Sequence, residues 1–130
     1  MQKKKVVYIA HPISGDINDN LFSIRKIVRH LNLSRNDIVP FVPYYVDVVS
    51  LDDNNPAERD RGIQNDIALF ERGIIDEVWL YGNRISKGMQ AEILLANSMN
   101  IPIRPQTKVL EFELEKLLES IGNYPELQEN

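Results

Sequence analysis

Glu92 stands in Ser86-Lys87-Gly88-Met89-Gln90-Ala91-Glu92, where a polar loop passes into a helix. Unpaired N–H groups at such a helix start attract anions. A carboxylate in the first two turns, at the mouth of an α/β sheet, is placed to act as nucleophile or base. Its neighbours Met89, Ile93 and Ala96 are apolar, so Glu92 faces either the edge of the core or solvent. Asp66 lies within Gly62-Ile63-Gln64-Asn65-Asp66-Ile67, beside an apolar stripe. Asp is a poor helix former, so either a chemical task or a surface pairing with Arg59 or Arg61 accounts for it. Tyr8 sits near the carboxyl end of an apolar strand, where its hydroxyl needs a partner; it serves packing or the orientation of a carboxylate. His11, ahead of Pro12, is either a general base or a structural loop residue. Ser86, Lys87 and Gly88 suit a phosphate held by backbone N–H groups, a hydroxyl and an ammonium, or Ser86 simply caps the helix. Ser14-Gly15 forms a second loop that permits close approach. These residue types suggest a small site for a phosphate or sugar beside one reactive carboxylate.

Composition removes several other chemistries. The 130 residues contain no cysteine, which excludes disulfides, thiolate zinc sites and cysteine nucleophiles together. This fits a reducing cytosol, and a cytoplasmic protein is the expectation. The two histidines are too few for a histidine-based metal site, and Asp52-Asp53-Asn54-Asn55 lacks the calcium-loop spacing, so no metal is expected. Neither a Walker loop nor a Gly-x-Gly-x-x-Gly fingerprint is present, so no nucleotide-derived cofactor is implied. A net charge of -4 argues against a broad face for nucleic-acid polymers. The run Val6 to Ala10 is too short for a signal peptide, and no later run would span a membrane.

The elements that must position these groups follow from periodicity. Val6 to Ala10 reads as a central parallel strand buried on both faces, with Lys3, Lys4 and Lys5 as a solvated lead-in. Leu21, Ile24, Ile27, Val28 and Leu31 predict a helix over 18–33, capped by Asn18, Asp19 or Asn20. Asp37 to Val42 is a second strand, and Tyr44 to Asn55 carries mixed signals. Pro56 opens a helix to Arg72 with Ile63, Ile67 and Phe70 inward and Gly73 as its stop. A third strand lies within 74–81. A helix follows over 87–99, with Met89, Ile93, Leu94 and Ala96 apolar, and then a short strand over 101–103. Leu110, Leu114, Leu117 and Ile121 mark a last helix over 109–121. One domain is expected over residues 1–122, with a polar tail at 123–130. Alternating strands and helices imply a parallel sheet covered on both faces, whose ligands bind beyond the carboxyl ends of the strands.

Taken in order, Tyr8-Ile9-Ala10-His11-Pro12-Ile13-Ser14-Gly15, Asp66, Asp76-Glu77-Val78-Trp79, Ser86-Lys87-Gly88-Met89-Gln90-Ala91-Glu92-Ile93 and Asn100-Ile101-Pro102-Ile103 resemble the nucleoside 2-deoxyribosyltransferase-like superfamily. That superfamily includes 2'-deoxynucleoside 5'-phosphate N-glycosidases. The resemblance covers Val6 to about Ile103. It implies an α/β, flavodoxin-like three-layer sandwich with a parallel sheet of four or five strands. It also implies cleavage of an N-glycosidic bond in a nucleoside or nucleotide, by hydrolysis or deoxyribosyl transfer. Glu92 then matches the nucleophile, Asp66 the proton donor to the departing base, and Tyr8 the residue that steadies the glutamate. Ser86 and Gly88, with Lys87, match the loop at the sugar's 5' end. Ser14 and Gly15, with His11, match the first loop. No cofactor is implied, and a homo-oligomer, dimer or tetramer, is. His11-Pro12 departs from the Gly-Pro or Gly-Ser that relatives often carry. A non-catalytic module that binds or sequesters a nucleotide is the alternative on the same fold.

Overall fold

The computed structural model describes residues 3–122. The expected tail at 123–130 lies outside the described residues.

Val7, Tyr8, Ile9 and Ala10 are fully buried, as a run without polar alternation requires, and they form most of strand β1 (Lys5–Ala10). Helix α1 (Ile17–Ser34) follows and leads into β2 (Ile38–Phe41). The short α2 (Tyr44–Ser50) and the longer α3 (Pro56–Glu71) precede β3 (Glu77–Leu80). Then come α4 (Lys87–Ser98), β4 (Ile103–Pro105) and α5 (Lys108–Gly122). The four strands are all parallel in the order β2-β1-β3-β4, with Tyr8 opposite Phe41 on one side and Val78 on the other. This is a flavodoxin-like α/β three-layer sandwich, with the four-stranded alternative realised among the described residues.

Successive side chains of a strand point to opposite faces, and the core divides accordingly. Val7, Ile9 and Trp79 pack with Leu31 and Ile38 on the α1 face. Tyr8, Ala10, Val78 and Leu80 pack with Phe70, Met89, Ile93 and Leu110 on the other. The chain's winding reverses between β1 and β3, so a crevice opens beyond their carboxyl ends.

Local chemistry shifts several expected boundaries. The α1 cap is Asp16, whose Oδ1 accepts from the Asp19 N–H, while Asn20 is occupied donating to the Ile13 carbonyl. The stretch with mixed signals contains α2, a seven-residue helix with no buried residue. The fourth strand begins at Ile103 rather than Ile101. Asn100 adopts φ 59 and the Ile101 N–H donates to the Ala96 carbonyl, so both residues terminate α4 before pairing can start. Ile63 is 45% exposed and so lies outside the inner face expected of it, and Leu94, apolar as it is, is 41% exposed.

Lys5 is exposed, as expected, but belongs to the strand rather than to its lead-in. It begins β1, and its Nζ lies 2.9 Å from Glu77 Oε2, while Arg104 Nε donates to Glu77 Oε1 at 2.7 Å. Trp79 Nε1 donates to the same oxygen at 2.9 Å. Burial opposes ionisation of Glu77, but the donors from Trp79, Lys5 and Arg104 outweigh it and hold the carboxyl at about 2, below its ordinary 4.5. A depressed folded value means that the ionised group stabilises the fold above about 4.5, and that this contribution is lost as pH falls toward about 2. Urea unfolding across this range is expected to show a stability loss in the wild type that is shallower in Glu77→Gln.

Candidate functional site

A cavity of about 720 Å³ occupies the crevice on the α3–α4 face of the sheet. Beneath it, fully buried and off its lining, lies Tyr8 on β1. The Tyr8 ring is held by Phe70 at 4.8 Å between centroids, by Tyr44 at 5.8 Å and by Phe41 at 6.5 Å. Its hydroxyl lies 2.6 Å from Asp66 Oδ2 on α3 and also hydrogen-bonds Glu92 Oε2 on α4. Residues 58 and 84 positions away in the chain therefore meet at one phenol oxygen. Asp66 and Glu92 both line the cavity.

Electrostatics at this point run against ionisation. Burial, then the neighbouring Asp66 charge, push the Glu92 carboxyl well above its ordinary value. Burial also raises Asp66, against the pull of its bonds with Tyr8 and Glu92. The Tyr8 phenol is driven up by burial and by both carboxylates, so it stays a neutral donor. Asp66 Oδ1 is buried without a hydrogen-bond partner, an arrangement that costs free energy until a donor arrives.

The loops after β1 and β3 form the rim. Ser86 caps α4, with its Oγ accepting from the Met89 N–H at 3.2 Å. Ser86, Lys87 and Gly88 line the cavity, as do His11 and Ser14; Gly15 lies off the lining, beside Arg84. Arg84 Nη2 donates to the Ser14 carbonyl at 3.3 Å and ties the two loops together. His11 is buried. The tautomer that satisfies both its contacts donates from Nδ1 to the Pro12 carbonyl at 2.7 Å and accepts at Nε2 from Ser23 Oγ at 3.1 Å. Burial, helped by the Arg84 charge, lowers its pKa against the Pro12 bond, so the ring stays neutral. Its lone pair is spent on Ser23, and it braces the loop rather than standing free as a base.

Gly82 closes this side. Its φ is 100, and a Cβ there would stand 2.6 Å from Pro12 Cδ. Gly82→Ala is expected to cost about 2–4 kcal/mol from left-handed strain and overpacking together, measured as a lowered denaturation midpoint.

Sequence reasoning missed Tyr44, Phe70 and Asp47 as parts of the site. Tyr44 Oη donates to the Ile9 carbonyl at 2.6 Å, which fixes α2 beside the Tyr8 ring. Asp47, also on the cavity wall, accepts from Asn65 Nδ2. Phe70, an inward residue of α3, is both core and cavity wall. Apart from the aromatic character of 44–45, no local pattern announces these roles.

Among the described residues no helix is long and apolar enough to cross a membrane, and no group of three or more His, Asp or Glu is placed to hold a metal ion.

Sandwich and site together define an α/β protein with an acidic pair at the carboxyl edge of its sheet. The chain belongs to the family described as a domain of unknown function, DUF7768, whose model matches residues 5–106. Tyr8, Asp66 and Glu92 all fall within that span. Comparison with curated proteins and with solved structures gives no match.

Proposed function

We propose that this protein cleaves the N-glycosidic bond of a nucleoside, deoxynucleotide or related nucleotide. The observation that carries this reading is that Glu92 and Asp66, both lining one cavity, meet at the buried Tyr8 hydroxyl. Loss of a nucleobase leaves an oxocarbenium-like sugar and needs a proton on the departing ring. One carboxylate captures the sugar carbon and a second carboxyl supplies the proton. This is the division of labour in retaining glycosidases. Glu92 is the nucleophile, Asp66 the acid and Tyr8 the group that orients them, as the likeness to the deoxyribosyltransferase-like superfamily implies. Ser86, Lys87 and Gly88 at the start of α4 suit a 5'-phosphate or the sugar's 5' hydroxyl. Water completes a hydrolysis, or a second base completes a transfer. The exposed apolar side chains Ile63 and Leu94 support association of copies around the cavity, and this homo-oligomer is part of the reading.

The test is incubation with a panel of nucleosides, deoxynucleoside monophosphates and dinucleotides, followed by chromatography for free base. Base release that disappears in Glu92→Gln upholds the proposal. Tight binding with no free base from any member would replace it with a sequestering module.

A further inference from the structure

The Tyr8 hydroxyl touches two carboxyl groups but owns a single hydrogen. It satisfies one carboxylate by donating. The other contact is a hydrogen bond only if that carboxyl carries a proton of its own and donates it to the phenol oxygen. Two ionised carboxylates on one phenol would leave a pair of acceptors facing an acceptor, in a site lined by Phe70, Met89 and Tyr44. We propose that Glu92, Tyr8 and Asp66 share one carboxyl proton and that the Tyr8 hydroxyl hands it from Glu92 to Asp66 when ligand binds.

In the free protein Glu92 is the acid and donates to Tyr8 Oη, and Tyr8 donates to Asp66 Oδ2. Burial and the Asp66 charge both favour the proton on Glu92. Asp66 Oδ1 is buried without a partner, so that carboxyl keeps one acceptor free to be satisfied when it turns. In the transfer, the Glu92 O–H bond breaks as a new bond forms to Tyr8 Oη. The original Tyr8 O–H bond breaks as one forms to Asp66 Oδ2. The products are ionised Glu92, neutral Asp66 and an intact phenol that now donates to Glu92. Charge and protons balance, with one negative charge on the pair before and after. A half-turn of the Asp66 carboxyl then brings its hydrogen to the place Oδ1 held. The nucleophile is thus ionised in the same event that arms the acid. Until a ligand arrives, the nucleophile stays neutral.

The groups facing this trio are Tyr44 and Asp47 from α2 and, along the cavity wall, His11 after β1, Asp53 ahead of α3, Glu58 and Arg59 from α3 and Lys87 from α4. Tyr44 is spent on the Ile9 carbonyl and Asp47 adds negative charge beside Asp66, so neither supplies the proton. Tyr8 is in this role a positioning residue that acts through the two carboxyls.

The direction of transfer rests on the glycosidase reading; the shared proton does not. Infrared difference spectra of the full chain, with the side-chain carboxyl carbon of Glu or of Asp isotopically labelled, read the proton directly. At neutral pH the free protein is expected to show one buried protonated-carboxyl band that shifts with the Glu label and is absent in Glu92→Gln. In Tyr8→Phe that band is displaced, kcat falls about 100-fold with KM held, and the pH profile of kcat moves. With a C-nucleoside 5'-monophosphate, whose carbon-linked base cannot leave, the band moves from the Glu label to the Asp label. Absence of the band, its indifference to Tyr8→Phe, or its persistence on Glu with the probe bound would each overturn the proposal. A band with no base released from any nucleotide would refute the glycosidase and uphold the shared proton. Base release without the band would do the reverse.

Discussion

Glu92→Gln is expected to lower base release by about 10³-fold or more, because the amide cannot capture the sugar carbon and cannot be ionised. The same change is expected to raise stability by about 1 kcal/mol. The sign follows from linkage. Burial and the neighbouring Asp66 raise the folded pKa of Glu92, so the folded state holds its proton more tightly than the unfolded chain does. The stabilisation that this gives is complete below the unfolded value and is lost as pH rises through the folded one. A neutral glutamine escapes that loss, so the gain over wild type grows with pH. Activity assays paired with urea titrations at several pH values check both halves. A variant that lost activity and stability together would mark Glu92 as a structural carboxyl.

Phe70→Ala is expected to cost about 3–5 kcal/mol, the usual range for deleting a buried aromatic ring. Phe70 is fully buried and lies against the Tyr8 ring. A small domain typically holds only about 5–15 kcal/mol in all, so the variant falls close to the unfolding threshold at ambient temperature. The lost ring also opens the space beside the phenol to water, which restores ionisation of the carboxyls beneath. Thermal unfolding followed by circular dichroism measures the first effect. Leu is the control, since it refills most of the volume and is expected to recover most of the stability.

The strands and helices were legible where burial imposes a period. Val7 to Ala10 is apolar on both faces because helices cover both faces, and α5 shows Leu110 and Leu114 on one stripe because it buries one side. Periodicity fails where backbone groups are satisfied by single side chains. The Asp16 cap and the Tyr44 bond to Ile9 each depend on one side-chain hydrogen bond, the second spanning 35 positions, and α4 ends on the left-handed backbone of Asn100. Glu92 and Asp66 were marked as chemically capable by type, neighbours and resemblance. Their meeting was not legible from spacing, since it depends on α3 and α4 lying side by side over β1. His11 shows the opposite limit. Its type suggested a base, and only the position of Ser23, twelve residues on, reveals that its lone pair is taken.

The two flanks of the crevice differ in what it takes to move them. On the β1–β3 side, Arg84 grips Ser14, Gly82 abuts Pro12 and His11 is pinned to Ser23. On the opposite side no α2 residue is fully buried, and the helix is held by Tyr44 on the Ile9 carbonyl, by Arg25 donating to Tyr45 and by Asn65 donating to Asp47. Segments with few buried apolar contacts open at low free energy. Of the two flanks, α2 is therefore expected to yield first. Its amides are expected to exchange with deuterium well before those of β1, and to slow when the chamber is filled.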